Sequence, residues 1–315
     1  MERSEKPRVT IRDVAERAGV SVATVSNVLS GRRKFAPETK ERVDRAIREL
    51  QFYPAAAARQ LKSRRTQTIG VLFPGVDLPG DLAGNPFYWQ LLSAIEAEGR
   101  GLGYRVMFAQ VTPDDDLAFV LERNLDGLVI LGAYAEFPLV ERAVALGRPL
   151  ILIDSYVERD CGQVRIDDYQ GGYQATQHLI ALGHRRIALV TGTRRQHGVH
   201  HERYRGYRAA LAEAGLMELV TEGPVTVEGG CDMASQLLRR TDPPTAIFAS
   251  ADNLAFGVLA AARELGLSVP GRLSVVGFDD LPLSSLVTPA LTTIRQDTYE
   301  KGAMAVRLID QAYAG

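Results

Sequence analysis

The sequence predicts two parts: a small helical headpiece of helix-turn-helix type, and a larger α/β core of two doubly wound parallel-sheet subdomains. Three observations carry this reading. The first 65 residues hold 16 Lys/Arg against 8 Asp/Glu, a balance of +8, while the other 250 hold 21 against 30, a balance of −9. Thr10 to Gly31 has the pattern of two short helices around a tight turn. From Thr68 onward, short apolar runs rich in β-formers alternate with amphipathic stretches of helical length.

The headpiece follows from local chemistry. Thr10 is placed to cap a first helix, with Asp13 at the third helical position, where its carboxylate reaches back to exposed amides. Val14, Ala15 and Ala18 give that helix its apolar face, and Gly19 turns the chain without a Cβ penalty. Ser21 restarts a helix whose Val25, Val28 and Leu29 recur at the spacing of one buried stripe. Pro37 suits the first turn of a third helix, buried through Val43, Ala46, Ile47 and Leu50. Two helices in this arrangement put the second into the DNA major groove. The basic runs Arg32–Lys34 and Arg59–Arg65 flank the motif as an electrostatic footprint for phosphate. Either run alone is more often a solvated face.

A linker follows. Pro54 opens it, four consecutive alanines favour helix, and Leu61 is a bulky apolar residue among Arg and Lys. By its own residues it is an Ala-rich linker with one leucine free to dock elsewhere.

The core then runs through TIGVLF, YRVMFA, GLVIL and PLILID, and through a second set, RRIALV, PTAIFAS and RLSVVGFD. Alternating strand and helix implies parallel sheets covered on both faces. So long a stretch fits two α/β halves with a cleft between them better than one sheet. Ligands in such folds lie beyond the carboxyl ends of strands. Polar or aromatic residues stand there: Asn85, Phe87 and Tyr88 after the first strand, Asp154, Asp252, Asp279 and Asp280 at later strand ends, and Arg203 opening a helix after RRIALV. Asp252 and Asp280 are equally readable as caps of the elements that follow.

Thr10–Gly31, in the pattern T-x-x-D-V-A-x-x-A-G-V-S-x-x-T-V-S, resembles the headpiece of the lac repressor (LacI/GalR) family of bacterial transcription regulators. Phe52–Ser63 and the run from Pro244 to Asp297 match the same family, so the resemblance spans almost the whole chain. It implies a core like the periplasmic sugar-binding proteins. The expected organisation is a headpiece at 1–53, a hinge at 54–66, one core subdomain at 67–163 with 294–315, and the other at 164–293. The DNA-binding candidates are Thr10, Ser21, Val22, Ala23, Thr24, Ser26, Asn27, Arg32 and Arg33, with Ala58 and Leu61 in a hinge helix that orders on DNA. There Leu61 matches a minor-groove wedge, whose cost of a few kcal/mol in unstacking is recovered by bending. Val22 and Ala23 offer only apolar contact, as to a thymine methyl, while Asn27 is able to pair with adenine.

The effector-site candidates are Phe87, Tyr88, Asp154, His197, Arg203, Asp252 and Asp279. In the family, the matches to Arg203 and Asp279 contact an effector's polar edge and the aromatics stack on its ring. Ala251 stands where some sugar-binding members have Asn, and Val225 where the purine-binding member has Phe, departures that weaken any assignment of ligand class beyond a preference for a small polyhydroxylated compound. His197, His200 and His201 cluster without a further ligand at metal spacing, so no metal and no cofactor are expected.

The reading is a DNA-binding transcriptional regulator, by expectation a repressor. It would bind a palindromic operator as a homodimer under control of a small effector, a sugar or sugar derivative. The alternative is a cytoplasmic sugar-binding or sugar-processing protein without a DNA role. No Walker P-loop, no G-x-S-x-G elbow and no G-x-G-x-x-G after the first strand occurs, so no enzyme is expected. The polar N-terminus lacks a secretory apolar segment, and the apolar runs are too short for a bilayer. Cys161 and Cys231 are isolated, which fits a bacterial cytoplasmic, nucleoid-associated protein with no membrane contact. The sequence ends after an expected helix, Ala303–Tyr313, where family members usually continue through further strands.

Overall fold

The computed structural model describes residues 9–30, 35–50, 52, 65–74, 85–112, 115–134, 138–195 and 197–314. Arg32, Arg33, Ala58 and Leu61 lie outside these residues. The chain divides into two units, Met1–Thr66 and Gln67–Gly315.

In the first unit, α1 (Ile11–Ala18), α2 (Val22–Ser30) and α3 (Pro37–Glu49) enclose Val14, Ala15, Ala18, Val25, Val43, Ala46 and Phe52. The Asp13 carboxylate accepts the Thr10 amide at 2.6 Å and its hydroxyl at 2.9 Å, and these bonds hold its pKa below the usual carboxylate range. Gly19 ends α1 at φ +62°, a conformation that costs a residue with Cβ. Arg42 of α3 donates to the Ala18 and Gly19 carbonyls and so satisfies that helix end from outside. Ser21 Oγ accepts the Thr24 amide at 3.0 Å and starts α2. One expectation fails here. Leu29, grouped with Val25 and Val28 as a buried stripe, is exposed, because it shares the i, i+4, i+7 face of Val22 and Ser26.

The second unit holds two five-stranded parallel sheets. Sheet A runs β2–β1–β3–β4–β5, from β1 (Thr68–Pro74), β2 (Arg105–Val111), β3 (Gly127–Leu131), β4 (Leu150–Ile153) and β5 (Gly162–Val164). Sheet B runs β10–β9–β8–β6–β7, from β6 (Ile187–Thr191), β7 (Val220–Glu222), β8 (Ala246–Ala249), β9 (Ser274–Asp279) and β10 (Thr292–Arg295). Alternation along the strands divides each core between two faces. Val71, Val129 and Ile151 pack under α4 (Pro86–Gly101) and α11 (Thr298–Ala314). Leu72, Leu128 and Leu152 face α5 (Ala118–Glu122) and α6 (Leu139–Ala145) on the other side. Sheet B is covered in the same way by α7 (Asp168–Ala181) and α8 (Val199–Glu213) on one face, and by α9 (Val227–Leu238) and α10 (Asp252–Glu264) on the other.

Sheet A keeps Val164 and sheet B keeps Ile294 and Arg295, so the chain crosses between subdomains at residues 165–167 and 296–297. These points lie one or two residues later than the sequence suggests. One packing detail positions the site. A Cβ on Gly172 would overlap the Arg203 carbonyl, and one on Gly206 would overlap the Tyr169 carbonyl. Bare glycines therefore let α7 and α8 touch backbone to backbone, which brings Asp168 beside Arg203.

Candidate functional site

Two surfaces take shape, one in each unit. On the headpiece, Ser21, Val22, Ala23, Ser26 and Leu29 form the exposed face of α2 and its first turn, with Thr24 and Asn27 half-buried along its sides. Thr10 is exposed at the start of α1. The face is small and largely uncharged, so it can approach base edges closely and has few long polar readers.

In the core, strand ends and helix starts converge on a polar cluster. Arg203, on the first turns of α8, is buried at 4% exposure. Its Nε donates to Asp168 at 2.8 Å, and its second nitrogen donates to the Ser250 carbonyl at 2.5 Å and lies 3.7 Å from Asp279. The guanidinium lies over the Phe278 ring, 3.6 Å from its centroid. Burial works against this charge, but Asp168 and Asp279 outweigh it and hold the pKa above the ordinary value.

The cluster continues across the second crossing. Gln296 donates to Asp279 at 2.5 Å and accepts from Lys301 at 2.6 Å; Lys301 pairs with Asp154, at the end of β4, at 2.5 Å. At the first crossing, Tyr156 donates to Asp168 at 2.8 Å. The path Asp154–Lys301–Gln296–Asp279–Arg203–Asp168–Tyr156 thus joins residues of both subdomains through hydrogen bonds and, at Asp154–Lys301 and Asp279–Arg203, ion pairs. Burial raises the Asp279 pKa to about 7 against the opposing pull of Arg203. Burial also raises Asp154, which Lys301 counters and Asp168 reinforces. Both residues have positive φ, +53° at Asp154 and +124° at Asp279, a strained backbone of the kind that collects at functional sites.

Aromatic rings border the cluster. Asn85 caps α4 by accepting the Phe87 amide at 3.1 Å. Phe87 and Tyr88 meet edge to face at 5.4 Å, Tyr88 meets Phe73 in the same way, and Lys301 Nζ lies 5.5 Å from the Phe87 centroid.

Residues 10–55 match the family described as bacterial regulatory proteins, lacI family, and residues 176–315 match a periplasmic binding protein-like domain. Catabolite control protein A of Priestia megaterium is 35% identical over 310 residues, 96% of this chain and 91% of that protein. The chain belongs to the lacI family of bacterial regulatory proteins. Among solved structures, the lac repressor dimer bound to operator and the anti-inducer ONPF is 30% identical, with a TM-score of 0.85 over 98% of this chain and 94% of that one. The regulator CelR in complex with cellobiose is also 30% identical, with a TM-score of 0.71 over 98% of this chain and 94% of that chain.

Within this lacI-family chain, the expected core residues divide. Asp154, Arg203 and Asp279 come together, with Phe87 and Tyr88 beside them. Asp252 is set apart: fully enclosed, its carboxylate accepts the Leu281 amide at 2.9 Å and the Ser284 and Thr293 hydroxyls at 2.6 Å each. Burial raises its pKa, those three bonds oppose the rise, and its evident work is to tie β10 and the turn after β9 to α10. His197 is exposed on the β6–α8 loop, outside the path; His200 instead reaches Ser250 Oγ at 3.1 Å. Sequence reasoning missed Asp168, Gln296, Lys301 and Tyr156. Two signals were available. Asp167 already caps α7 through the Gln170 amide, which leaves Asp168 without that duty. Lys301 stands on the same helical face as Thr298, Ala305 and Ile309, where a charge is out of place.

Proposed function

We propose that this chain is a transcriptional repressor that holds a palindromic operator as a homodimer and answers to a small hydroxyl-bearing effector in the cleft between its core subdomains. As a family member it is a regulator and not an enzyme. The observation that carries the effector half is the polar path from Asp154 to Tyr156, which crosses both subdomain junctions and is bordered by the Phe87 and Tyr88 rings. A ligand that engages Asp154 and Asp279 together changes how one half sits on the other. The cellobiose bound by CelR supports a sugar or sugar derivative, as does the pair of strand-end carboxylates, Asp154 and Asp279.

The DNA half rests on α2, with Ser21, Val22, Ala23, Ser26 and Asn27 at the bases and Thr10, Thr24, Arg32 and Arg33 at phosphates. In the hinge, residues 54–66, Leu61 wedges a base step with Ala58 beneath it. Among the described residues no helix is long and apolar enough to cross a membrane, and we place the protein in the bacterial cytoplasm, on the nucleoid. An operator is selected from random DNA with the full chain, and metabolites are screened for thermal stabilisation. Arg203→Ala is expected to abolish the effect of a stabilising compound on operator binding while leaving sequence-selective binding in its absence. A normal response in that variant means that the effector lies elsewhere.

A further inference from the structure

A buried Arg and a buried Lys where the two core subdomains meet invite an acidic ligand, such as a sugar phosphate or a sugar acid. The hydrogen bonds argue the reverse. Both cations are already committed: Arg203 to Asp168 at 2.8 Å and Asp279 at 3.7 Å, and Lys301 to Asp154 at 2.5 Å and the Gln296 side-chain Oε1 at 2.6 Å. Three carboxylates face two cations, so an incoming acid would have to displace a carboxylate from its partner inside a cluster that excludes most water.

The carboxylates are asymmetric in use. Asp154 and Asp279 each engage a cation through Oδ1, and the Gln296 bond to Asp279 uses the same oxygen. Among the described residues neither Oδ2 has a partner, although Asp279 is more than nine-tenths buried. What the cluster offers a ligand is therefore acceptors, one from each subdomain. Acceptors in a secluded site hold hydroxyl donors and repel acids, and a group that leaves such acceptors unmatched loses heavily in affinity.

We infer that the cleft selects an uncharged, hydroxyl-bearing effector and rejects its acidic counterparts, and that Lys301 is a positioning residue that orients Asp154. This rests on the effector reading above and specifies its chemistry. Lys301 can do this because α11, although last in sequence, packs on sheet A beside α4, with Gly302 close against Ala94 and Leu91. Its third side is occupied by the Phe87 ring, 5.5 Å away.

The test is calorimetric titration of the full chain with matched probes: neutral hexoses, pentoses and disaccharides, the corresponding uronic acids, and the corresponding phosphates. At least one neutral sugar is expected to bind, with its acid and its phosphate weaker by tenfold or more. Lys301→Met is expected to weaken the neutral sugar about tenfold, and Lys301→Arg to restore most of the loss. Because Lys301→Met strands a buried carboxylate, the paired variant Asp154→Asn/Lys301→Met serves as a folded reference, expected to keep its unfolding midpoint and lose the sugar. An acid or phosphate that binds more tightly than its neutral parent, and loses that advantage in Lys301→Met, overturns the inference while leaving the effector reading standing. Binding of no probe by a chain that still selects its operator also overturns it. A neutral sugar that binds without altering operator affinity supports the inference and refutes the effector reading instead.

Discussion

Asp279 is the residue on which the most forces converge. Its ordinary pKa is 3.8, and in the fold burial lifts it to about 7 despite Arg203. Between those values the unfolded chain has released a proton that the folded chain retains. The stability that Asp279 contributes is therefore fully present below pH 4 and is lost as pH rises toward and through 7. Each pKa unit is worth about 1.4 kcal/mol, so Asp279 contributes a fall of roughly 4 kcal/mol across that window. Asp154 and Asp252, also raised, add to the fall in the same direction. Urea unfolding at several pH values between 5 and 8 is expected to show the decline, and Asp279→Asn to flatten it; an unaltered slope in that variant removes Asp279 from the account. The same residues show how far one sequence reaches. Asp154, Arg203 and Asp279 were legible as a group because strand ends and the helix starts beyond them converge at one edge of a parallel α/β sheet. Lys301 was not, because a helical lysine is ordinarily solvated and only its register against Ala305 and Ile309 gives it away. Asp252 misled because its position at a strand end does not say which way its carboxylate turns, and here it turns toward Leu281, Ser284 and Thr293.

Among elements, the junction of α7 and α8 holds the site together. Their backbones touch at Gly172 and Gly206, so no side chain intervenes between the helix that bears Asp168 and the helix that bears Arg203. Gly172→Ala puts a Cβ into the Arg203 carbonyl, where neither partner is a flexible side-chain end. The helices must separate, and with them the 2.8 Å bond between Arg203 and Asp168. Overpacking of this kind typically costs about 1–3 kcal/mol, and a loosened buried ion pair adds to it. The expected outcome is a lower unfolding midpoint together with a tenfold or greater loss of effector affinity; equal affinity in Gly172→Ala would mean that the pair has no part in the ligand's site. The long central strands were readable as apolar runs, whereas β5, β7 and β10 were not. Gly162–Val164, Val220–Glu222 and Thr292–Arg295 are three or four residues long and lie at sheet edges, with burial on fewer sides and therefore little apolar signature. The headpiece was legible almost throughout, since Thr10, Asp13, Gly19 and Ser21 mark helix boundaries by their own chemistry. Its exception, Leu29, belongs to two helical stripes at once, and only packing decides between them.

For the whole molecule, the question is how an effector held in a core of net −9 alters the grip of a head and linker of net +8. Linkage requires that the effector change operator affinity by the same factor that operator changes effector affinity, typically about 5- to 150-fold. A segment that is ordered only on DNA is well suited to carry such coupling, because its folding equilibrium can be biased from either end. Residues 54–66 have the composition for it: an Ala-rich stretch too short to be a stable helix alone. Leu61→Ala should therefore do two things together. Operator affinity should fall, because unstacking a base step is no longer rewarded by a buried side chain. The factor by which effector changes operator affinity should shrink as well if the coupling proposed for this segment runs through Leu61, while effector affinity for the DNA-free protein stays as it was. Fluorescence anisotropy with a selected operator, with and without ligand, measures both quantities. If affinity falls and the factor is preserved, the leucine is only a contact and the coupling runs through another element. If both fall, the order of that short segment is what the two sites share.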